Sequence, residues 1–154
     1  MTSTLNLDSW LVGFLDGRGS LMASVRRESK VTTALQIKMR ADGDRILHQI
    51  RDHLGIGRIS AVGACNRRLL TMPDYYDAPA TMLVIDGAGE CHRMAKWFDE
   101  HPLQGKRQRE VLLWCQIVRL IEANGCRATA ELEYLTEQLK ACKKNIPALP
   151  MPLG

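Results

Sequence analysis

The residues best suited to do chemistry lie in one short basic segment, positions 18–40. Six of its side chains are positively charged and only Glu28 is negative, so the segment carries +5 within a chain whose formal net charge is +4. The six are Arg18, Arg26, Arg27, Lys30, Lys38 and Arg40. Arginine and lysine bind phosphate and recognise guanine in the DNA major groove, where a glutamine such as Gln36 suits adenine. The pattern is typical either of a nucleic-acid surface or of an ordinary solvated sheet face.

Two β-strands must position these charges, because the hydrophobic pattern on both sides of the segment's centre has a period of two. Leu21, Ala23 and Val25 alternate with Met22, Ser24 and Arg26. In residues 31–40, Leu35, Ile37 and Met39 alternate with Gln36, Lys38 and Arg40. This period predicts half-buried strands, which a turn at residues 27–30 joins into an antiparallel hairpin. The hairpin is expected to bury Leu21, Val25, Leu35 and Ile37 and to turn its basic and amide side chains to the opposite face.

The rest of the chain alternates helical and strand patterns. A short helix over residues 9–16, capped by Asp8 and stopped by residues 17–19, is expected before the hairpin. Further helices are predicted from Asp42 or Asp44 to Gly55 and over residues 89–100, 106–124 and 129–143. Further strands are predicted over residues 56–64 and 80–86. Residues 65–79 form a polar connection. The order αββαββα, followed by C-terminal helices, predicts an α+β fold with helices on one face of a four-stranded antiparallel sheet.

Length and composition are those of a single globular domain. The 154 residues, 45% of them apolar and 25% charged, predict one domain over residues 1–145 and an extended Pro-rich tail over residues 146–154. No apolar run reaches the roughly 18 residues of a membrane span, and the first residues lack the features of a signal peptide. We expect a protein of the cytoplasm or an organellar matrix that is not secreted. Five cysteines without a CxxC spacing predict reduced, buried thiols and no zinc site.

Residues 9–20, SWLVGFLDGRGS, resemble the motif of the LAGLIDADG homing endonucleases. Seven residues align in register: Leu11, Gly13, Phe14, Leu15, Asp16, Gly17 and Gly19. The similarity extends over about residues 8–124, through LGIGRIS at residues 54–60 and HPLQGKR at residues 101–107. A second candidate, LVIDGAG at residues 83–89, leads from a strand into a helix instead of from a helix into a strand. We interpret it as a strand and a turn, so the chain has one motif.

The resemblance implies a homodimer bound to double-stranded DNA. In the single-motif branch of this family, two motif helices form the interface, and two sheets form one saddle over a pseudo-palindromic site. The interface residues implied are Trp10, Leu11, Gly13, Phe14 and Gly17. Together with the basic pattern, the resemblance assigns to the DNA surface Arg18, Ser24, Arg26, Arg27, Lys30, Gln36, Lys38, Arg40, Arg58, Ser60, Arg67, Arg68, Lys106 and Arg107. The alternative for the motif is a short helix buried only within its own chain.

One departure from the family bears on catalysis. The acid that binds a divalent metal in these enzymes is replaced by Arg18, whose guanidinium only donates hydrogen bonds and cannot ligate magnesium. Asp16 aligns with the motif's other acid, and Lys106 with the family's basic residue near the active site. The resemblance therefore implies site-specific DNA binding with cleavage lost or impaired, and we assign no metal. The alternatives are an active magnesium-dependent endonuclease that uses a carboxylate such as Asp16, and a scaffold that binds RNA or a protein.

Overall fold

The described part of the chain contains five helices and four strands. The structure, a computed structural model, describes residues 6–62, 80–105 and 107–144. The helices are α1 (Leu7–Arg18), α2 (Asp44–Leu54), α3 (Ala88–Glu100), α4 (Gln108–Asn124) and α5 (Ala130–Lys143). The strands are β1 (Ser20–Arg26), β2 (Lys30–Arg40), β3 (Arg58–Val62) and β4 (Ala80–Asp86). This order confirms the predicted α+β class, and none of these five helices is long and apolar enough to cross a membrane.

The four strands form one antiparallel sheet in the order β1-β2-β4-β3. The two predicted hairpins are joined through the pairing of β2 with β4. On the inner face, Leu35 lies opposite Leu21, Ile37 lies opposite Leu83, and all four side chains are at most 2% exposed. Successive side chains of a strand point to opposite faces, so Gln36 lies on the outer face. A shift of one residue would exchange the two faces, and burial of the inner face therefore fixes the register.

The helices pack on the inner face and close one apolar core. Trp114 of α4 and Met94 of α3 are fully buried there, and Leu139 of α5 is 1% exposed. Trp114 donates its indole N–H to the backbone carbonyl of Met22 on β1, at 3.1 Å. The one polar atom of the largest core side chain is thus satisfied by the sheet, which connects α4 to the first strand.

Helix α1 begins earlier than predicted. Asn6 caps it in place of Asp8, because the Asn6 side-chain oxygen accepts a hydrogen bond from the backbone N–H of Ser9 at 3.3 Å. Asp8 therefore lies inside the first turn of α1. Its carboxylate is free to contact other helices.

Helix α1 also ends later than predicted, since Gly17 and Arg18 are helical and Gly19 is the C-cap. The Gly19 N–H donates to the Leu15 carbonyl at 2.9 Å. A glycine inside a helix costs only about 1 kcal/mol, which is less than the roughly 1.5–3 kcal/mol gained by burying one leucine side chain. Burial of Leu11 and Leu15 thus outweighs the local preference of Gly17.

The tip of the first hairpin differs from the prediction in two ways. Glu28 (φ 67°) and Ser29 (φ 55°) adopt left-handed backbone conformations in a 3-10 turn, so β2 begins at Lys30. The predicted burial of Val25 is wrong, because this residue lies on the edge strand β1 and is 41% exposed. Its cross-strand partner Val31, one strand further into the sheet, is 1% exposed.

The other elements lie close to their predicted positions. β3 is shorter than residues 56–64, while α3 and α4 begin within two residues of the predicted starts. Helix α2 ends at Gly55, whose φ of 72° is in the left-handed region that favours glycine. The predicted connection at residues 65–79 lies outside the described residues. The predicted tail at residues 146–154 does so as well.

The cysteines differ in accessibility. Cys91 and Cys115 are buried, Cys142 is partly buried and Cys126 is exposed, and all four are free thiols. The prediction of buried thiols is therefore wrong for Cys126, which lies in the turn between α4 and α5; Cys65 lies outside the described residues. Burial raises the pKa of the Cys91 thiol and raises that of Cys115 to about 12. Because the thiolate is the reactive form, these two cysteines should be inert in the native protein.

We expect a short pulse of iodoacetamide at pH 8 to alkylate Cys126 in the native protein and to leave Cys91 and Cys115 unmodified. Peptide mass spectrometry measures the extent at each position, and the same pulse in denaturant is the control in which all cysteines react. Native labelling of Cys115 at the rate of Cys126 would contradict the described core packing.

Candidate nucleic-acid interface

The outer face of the sheet carries most of the predicted DNA-contact residues. The pairs Ser20–Gln36, Ser24–Thr32 and Arg26–Lys30 face outward on β1 and β2, and Arg58–Val84 and Ser60–Met82 continue the same face across β3 and β4. The face encloses an open groove of about 580 Å³ whose lining includes Arg26, Lys30, Gln36, Arg58 and Ser60. Lys38 and Arg40 lie further along β2 and are exposed. The structure thus brings side chains from β1, β2 and β3 onto one surface.

The polar side chains that β1 and β2 contribute to this face make only weak contacts. The Arg26 Nε donates to the Thr32 hydroxyl at 3.3 Å. Lys30 lies 3.6 Å from Glu28, and Arg40 lies 3.9 Å from Asp42, with all four side chains well exposed. Exposed ion pairs of this kind contribute about 0–1 kcal/mol each. A phosphate or a base edge can therefore replace them at little cost.

An acid that we did not predict at this surface also lies in the groove. Asp86, the last residue of β4, accepts a hydrogen bond from Arg58 Nη2 at 2.7 Å, and this bond raises the pKa of Arg58. The period of two along β4 puts Asp86 on the same side as Met82 and Val84. The outward position of Asp86 could therefore have been predicted from the sequence. Asp86 thus neutralises one guanidinium of the groove locally.

The end of α1 packs against the loop before α4. The carboxylate of Asp16 lies against the backbone of Gly105, and a side chain at position 105 would force the Asp16 side chain to move. The Arg107 guanidinium donates to the Gly19 carbonyl. Arg107, predicted to contact DNA, is thus engaged with the backbone at the end of the motif. Lys106, Arg67 and Arg68 lie outside the described residues, while Arg27 is exposed in the hairpin turn and Arg18 at the end of α1.

Helix α1 has one buried and one exposed face. Trp10 is 40% exposed, and its ring stacks on that of Phe14 at a centroid distance of 4.9 Å. A Cβ added at Gly13 or at Gly17 would meet no atom within 4 Å, so both positions are open. Leu11, assigned to the dimer interface from the sequence, is only 1% exposed and belongs to the core of its own chain. The correction follows from helical spacing, since residues 11 and 15 share one face while 10, 13, 14 and 17 share the other.

A cluster of polar groups holds the start of α1. The Asp8 carboxylate accepts hydrogen bonds from His53 Nε2 at 2.7 Å and from Trp97 Nε1 at 3.0 Å, and His101 Nε2 lies 3.5 Å away. The bonds from His53 and Trp97 lower the pKa of Asp8. We did not predict this cluster, because its members are far apart in the sequence. It connects α1 to α2 and α3.

No model of a protein family and no curated protein matches this sequence. Solved structures do match it. The LAGLIDADG meganuclease I-AabMI bound to uncleaved DNA matches 87% of the chain with a TM-score of 0.70 and 25% identity. The archaeal intron-encoded homing endonuclease I-Vdi141I, complexed with DNA, matches 89% with a TM-score of 0.71 and 17% identity. I-SmaMI bound to an uncleaved DNA target in the presence of calcium ions matches 95% with a TM-score of 0.71 and 18% identity. The fold is that of the LAGLIDADG homing endonucleases.

The extent of these matches differs between the LAGLIDADG structures. This chain spans 43% of the I-AabMI chain and 51% of the I-SmaMI chain, but 84% of the I-Vdi141I chain. It therefore has about half the length of the first two proteins and nearly the full length of the third. Residues 9–20, which resemble the LAGLIDADG motif in sequence, comprise most of helix α1, the cap Gly19 and the first residue of β1.

The residues at the end of the motif helix do not fit a divalent cation. Position 18 holds a guanidinium, which has no lone pair to offer a metal. Asp16 supplies one carboxylate, which lies against Gly105. Among residues 6–62, 80–105 and 107–144, no three His, Cys, Asp or Glu side chains are placed to hold a metal ion. We therefore assign no metal ligand among these described residues.

Replacement of Asp8 by Asn should destabilise the protein by about 1–2 kcal/mol at pH 7, because two hydrogen bonds lose their charged acceptor. The pKa of Asp8 is lowered in the folded state, so its contribution is complete above the ordinary value of 3.8 and is lost as the pH falls through the folded value. Urea unfolding of wild type and variant at several pH values measures the difference.

The matched control for this measurement is Asp52→Asn, which removes an exposed acid of α2 that forms an ion pair with its neighbour Arg51. We expect the control to change stability by less than about 0.5 kcal/mol. An Asp8→Asn effect that is equally small at pH 7, or that grows below pH 3.8, would contradict the role assigned to Asp8.

Proposed function

We propose that this protein binds double-stranded DNA at a specific site, as a homodimer, with cleavage lost or impaired. The observation that carries the proposal is the outer sheet face, where basic and amide side chains from three strands surround one open groove on a LAGLIDADG fold. I-AabMI and I-Vdi141I, which share this fold, are bound to DNA in their solved structures.

The dimensions and the chemistry of the face suit the DNA major groove. Neighbouring strands lie about 4.8 Å apart, so a two-stranded ribbon enters a groove about 12 Å wide. Arg26 and Lys38 suit guanine, Gln36 suits adenine, and the Asp86 carboxylate can accept from the amino group of cytosine. The weak contacts on β1 and β2 leave Arg26, Gln36 and Lys38 available to a base edge or a phosphate, whereas the Asp86 carboxylate is shared with Arg58.

The exposed face of α1 supports the homodimer. Trp10 and Phe14 supply a stacked apolar surface. Gly13 and Gly17 have no side chain to cover the helix backbone, so a second copy of α1 can approach it closely. A symmetric dimer brings the same face of both helices together. Two sheets then extend from one central helix pair, and a protein with two-fold symmetry reads a two-fold symmetric site.

Arg18 supports the loss of cleavage. Metal-assisted hydrolysis of a phosphodiester needs anionic or neutral oxygen ligands that hold the cation beside the attacking water. Arg18 offers only donors, and in the proposed dimer two copies of it lie near the two-fold axis. A guanidinium binds a phosphate directly through two parallel hydrogen bonds. Contact with the DNA backbone thereby takes the place of metal binding at the centre of the complex.

A duplex recovered from a random library should bind tightly and stay uncut in magnesium or manganese. Between 50 and 200 mM salt, the affinity should fall by about 10³-fold or more, because several phosphate contacts release counterions. Arg18→Ala should lower the slope of log affinity against log salt by about 1.8, since the dimer loses two contacts of about 0.9 each.

Two outcomes would contradict this proposal. One is robust nicking that vanishes in Asp16→Ala while Arg18→Ala has no effect, which would make the protein an active nuclease with a displaced carboxylate. The other is an affinity for duplex DNA that does not depend on salt, which would favour a protein partner for the basic face.

Gly13→Glu should convert the dimer to a monomer without unfolding the chain, because position 13 is open in a single chain and closed in the proposed helix pair. Sedimentation equilibrium measures the mass and circular dichroism the fold. The matched control is Gly89→Glu, since position 89 on α3 is also exposed and open. A monomeric wild type, or a Gly13→Glu variant that stays dimeric, refutes the assigned interface.

A further inference from the structure

The turn between α4 and α5, residues 125–129, pairs with the tip of the first hairpin; we call it the α4–α5 linker. The Val31 N–H donates to the Cys126 carbonyl at 2.8 Å, and the Ala128 N–H donates to the Ser29 carbonyl at 2.6 Å. Between these two bonds, Lys30 and Arg127 form an antiparallel β-bridge. The linker thus adds a short strand segment to the sheet.

This added segment lies in line with β4. Lys30 pairs with Arg26 of β1 on one side, so Arg127 must occupy its other side. That other side is the one on which β4 pairs with β2, and β4 reaches only as far as Ala34. The linker therefore extends the sheet beyond the end of β4, out to the hairpin tip.

The bridge also fixes the direction of the Arg127 side chain. Residues directly opposite each other in an antiparallel pair point to the same face. Lys30 shares the outer face with Arg26 and lines the groove, so Arg127 lies on that face as well. Arg127 is exposed, and no ion pair joins it to any residue that the structure describes. Together with Arg27 in the turn, the tip carries four cations, Arg26, Arg27, Lys30 and Arg127, and one acid, Glu28, which lies 3.6 Å from Lys30.

The position of this cluster along the sheet is far from α1. β1 runs from Ser20, next to the end of α1, to Arg26 at the tip. Six steps of about 3.4 Å separate these two residues by about 20 Å. In the proposed complex β1 runs along the duplex, whose base pairs rise about 3.4 Å each, so the tip lies at most about six base pairs further from the dimer centre than the end of α1.

We propose that the α4–α5 linker is part of the DNA-binding surface and that Arg127 binds a backbone phosphate at the outer end of each half-site. The inference rests on the proposed function and adds to it a helix linker that carries none of the predicted contacts. A phosphate contact fixes the position of the hairpin on the duplex without reading a base. It should therefore act equally on every sequence that the protein binds.

The test compares wild type, Arg127→Ala and Arg127→Lys on a fluorescein-labelled duplex recovered from a random library. Arg127→Ala should weaken binding about 10-fold and lower the salt slope by about 1.8, two contacts per dimer. Arg127→Lys, which keeps the charge, should retain most of the affinity. The charge-matched control is Arg93→Ala, which removes an exposed arginine from α3 on the helical layer and should leave affinity unchanged.

Shortened duplexes locate the contact. Removal of the outer base pairs should weaken binding by wild type more than binding by Arg127→Ala, because the variant has already lost one of the contacts to that end. The thermal midpoint of each variant should equal that of wild type, because the linker is held by backbone hydrogen bonds.

The inference is overturned if wild type binds the duplex tightly and Arg127→Ala binds it equally well, or if Arg93→Ala has the same effect as Arg127→Ala. Failure of wild type to bind any duplex would instead overturn the proposed function itself. A loss of affinity in Arg127→Ala that Arg127→Lys does not restore would contradict a phosphate contact.

Discussion

The packing of the helices on one face of the sheet is the interaction on which the rest of the structure depends. Leu21, Leu35, Ile37 and Leu83 lie on the inner face, and their burial turns every second side chain of the strands to the opposite face. On β1, β2 and β3 most of the outward positions are polar or basic, whereas those of β4 are apolar except for Asp86. The core therefore builds the candidate DNA surface indirectly, since it fixes the register that brings Arg26, Lys38 and Arg58 to one face.

Helix α1 links this surface to the proposed symmetry of the complex. Its buried leucines attach it to the core, its exposed aromatic and glycine positions face outward, and its last residue is Arg18. The Asp8 cluster holds its start, and the contact of Arg107 with the Gly19 carbonyl holds its end. Both ends are thus fixed by side chains from elsewhere in the chain, which sets where Arg18 and the first strand begin.

Much of this arrangement could be predicted from the sequence because it has a local period. The strands β1, β2 and β4, the outer position of Gln36 and the stop of α2 at Gly55 follow from patterns within a few residues. The errors have non-local causes: Leu11 is buried by the core, and Val25 is exposed on an edge strand. The Asp8 cluster, the Arg58–Asp86 pair and the Arg127 bridge join residues 28 to 97 positions apart, which no local pattern reveals.

The central claim is that two copies of this chain read one symmetric DNA site. The most direct measurement is selection of bound duplexes from a random library by the wild-type protein, followed by sequencing. We expect a consensus whose two halves are related by inversion, with informative positions spread over several base pairs on each side of the centre. No enriched sequence, or a consensus without inverted symmetry, would contradict it.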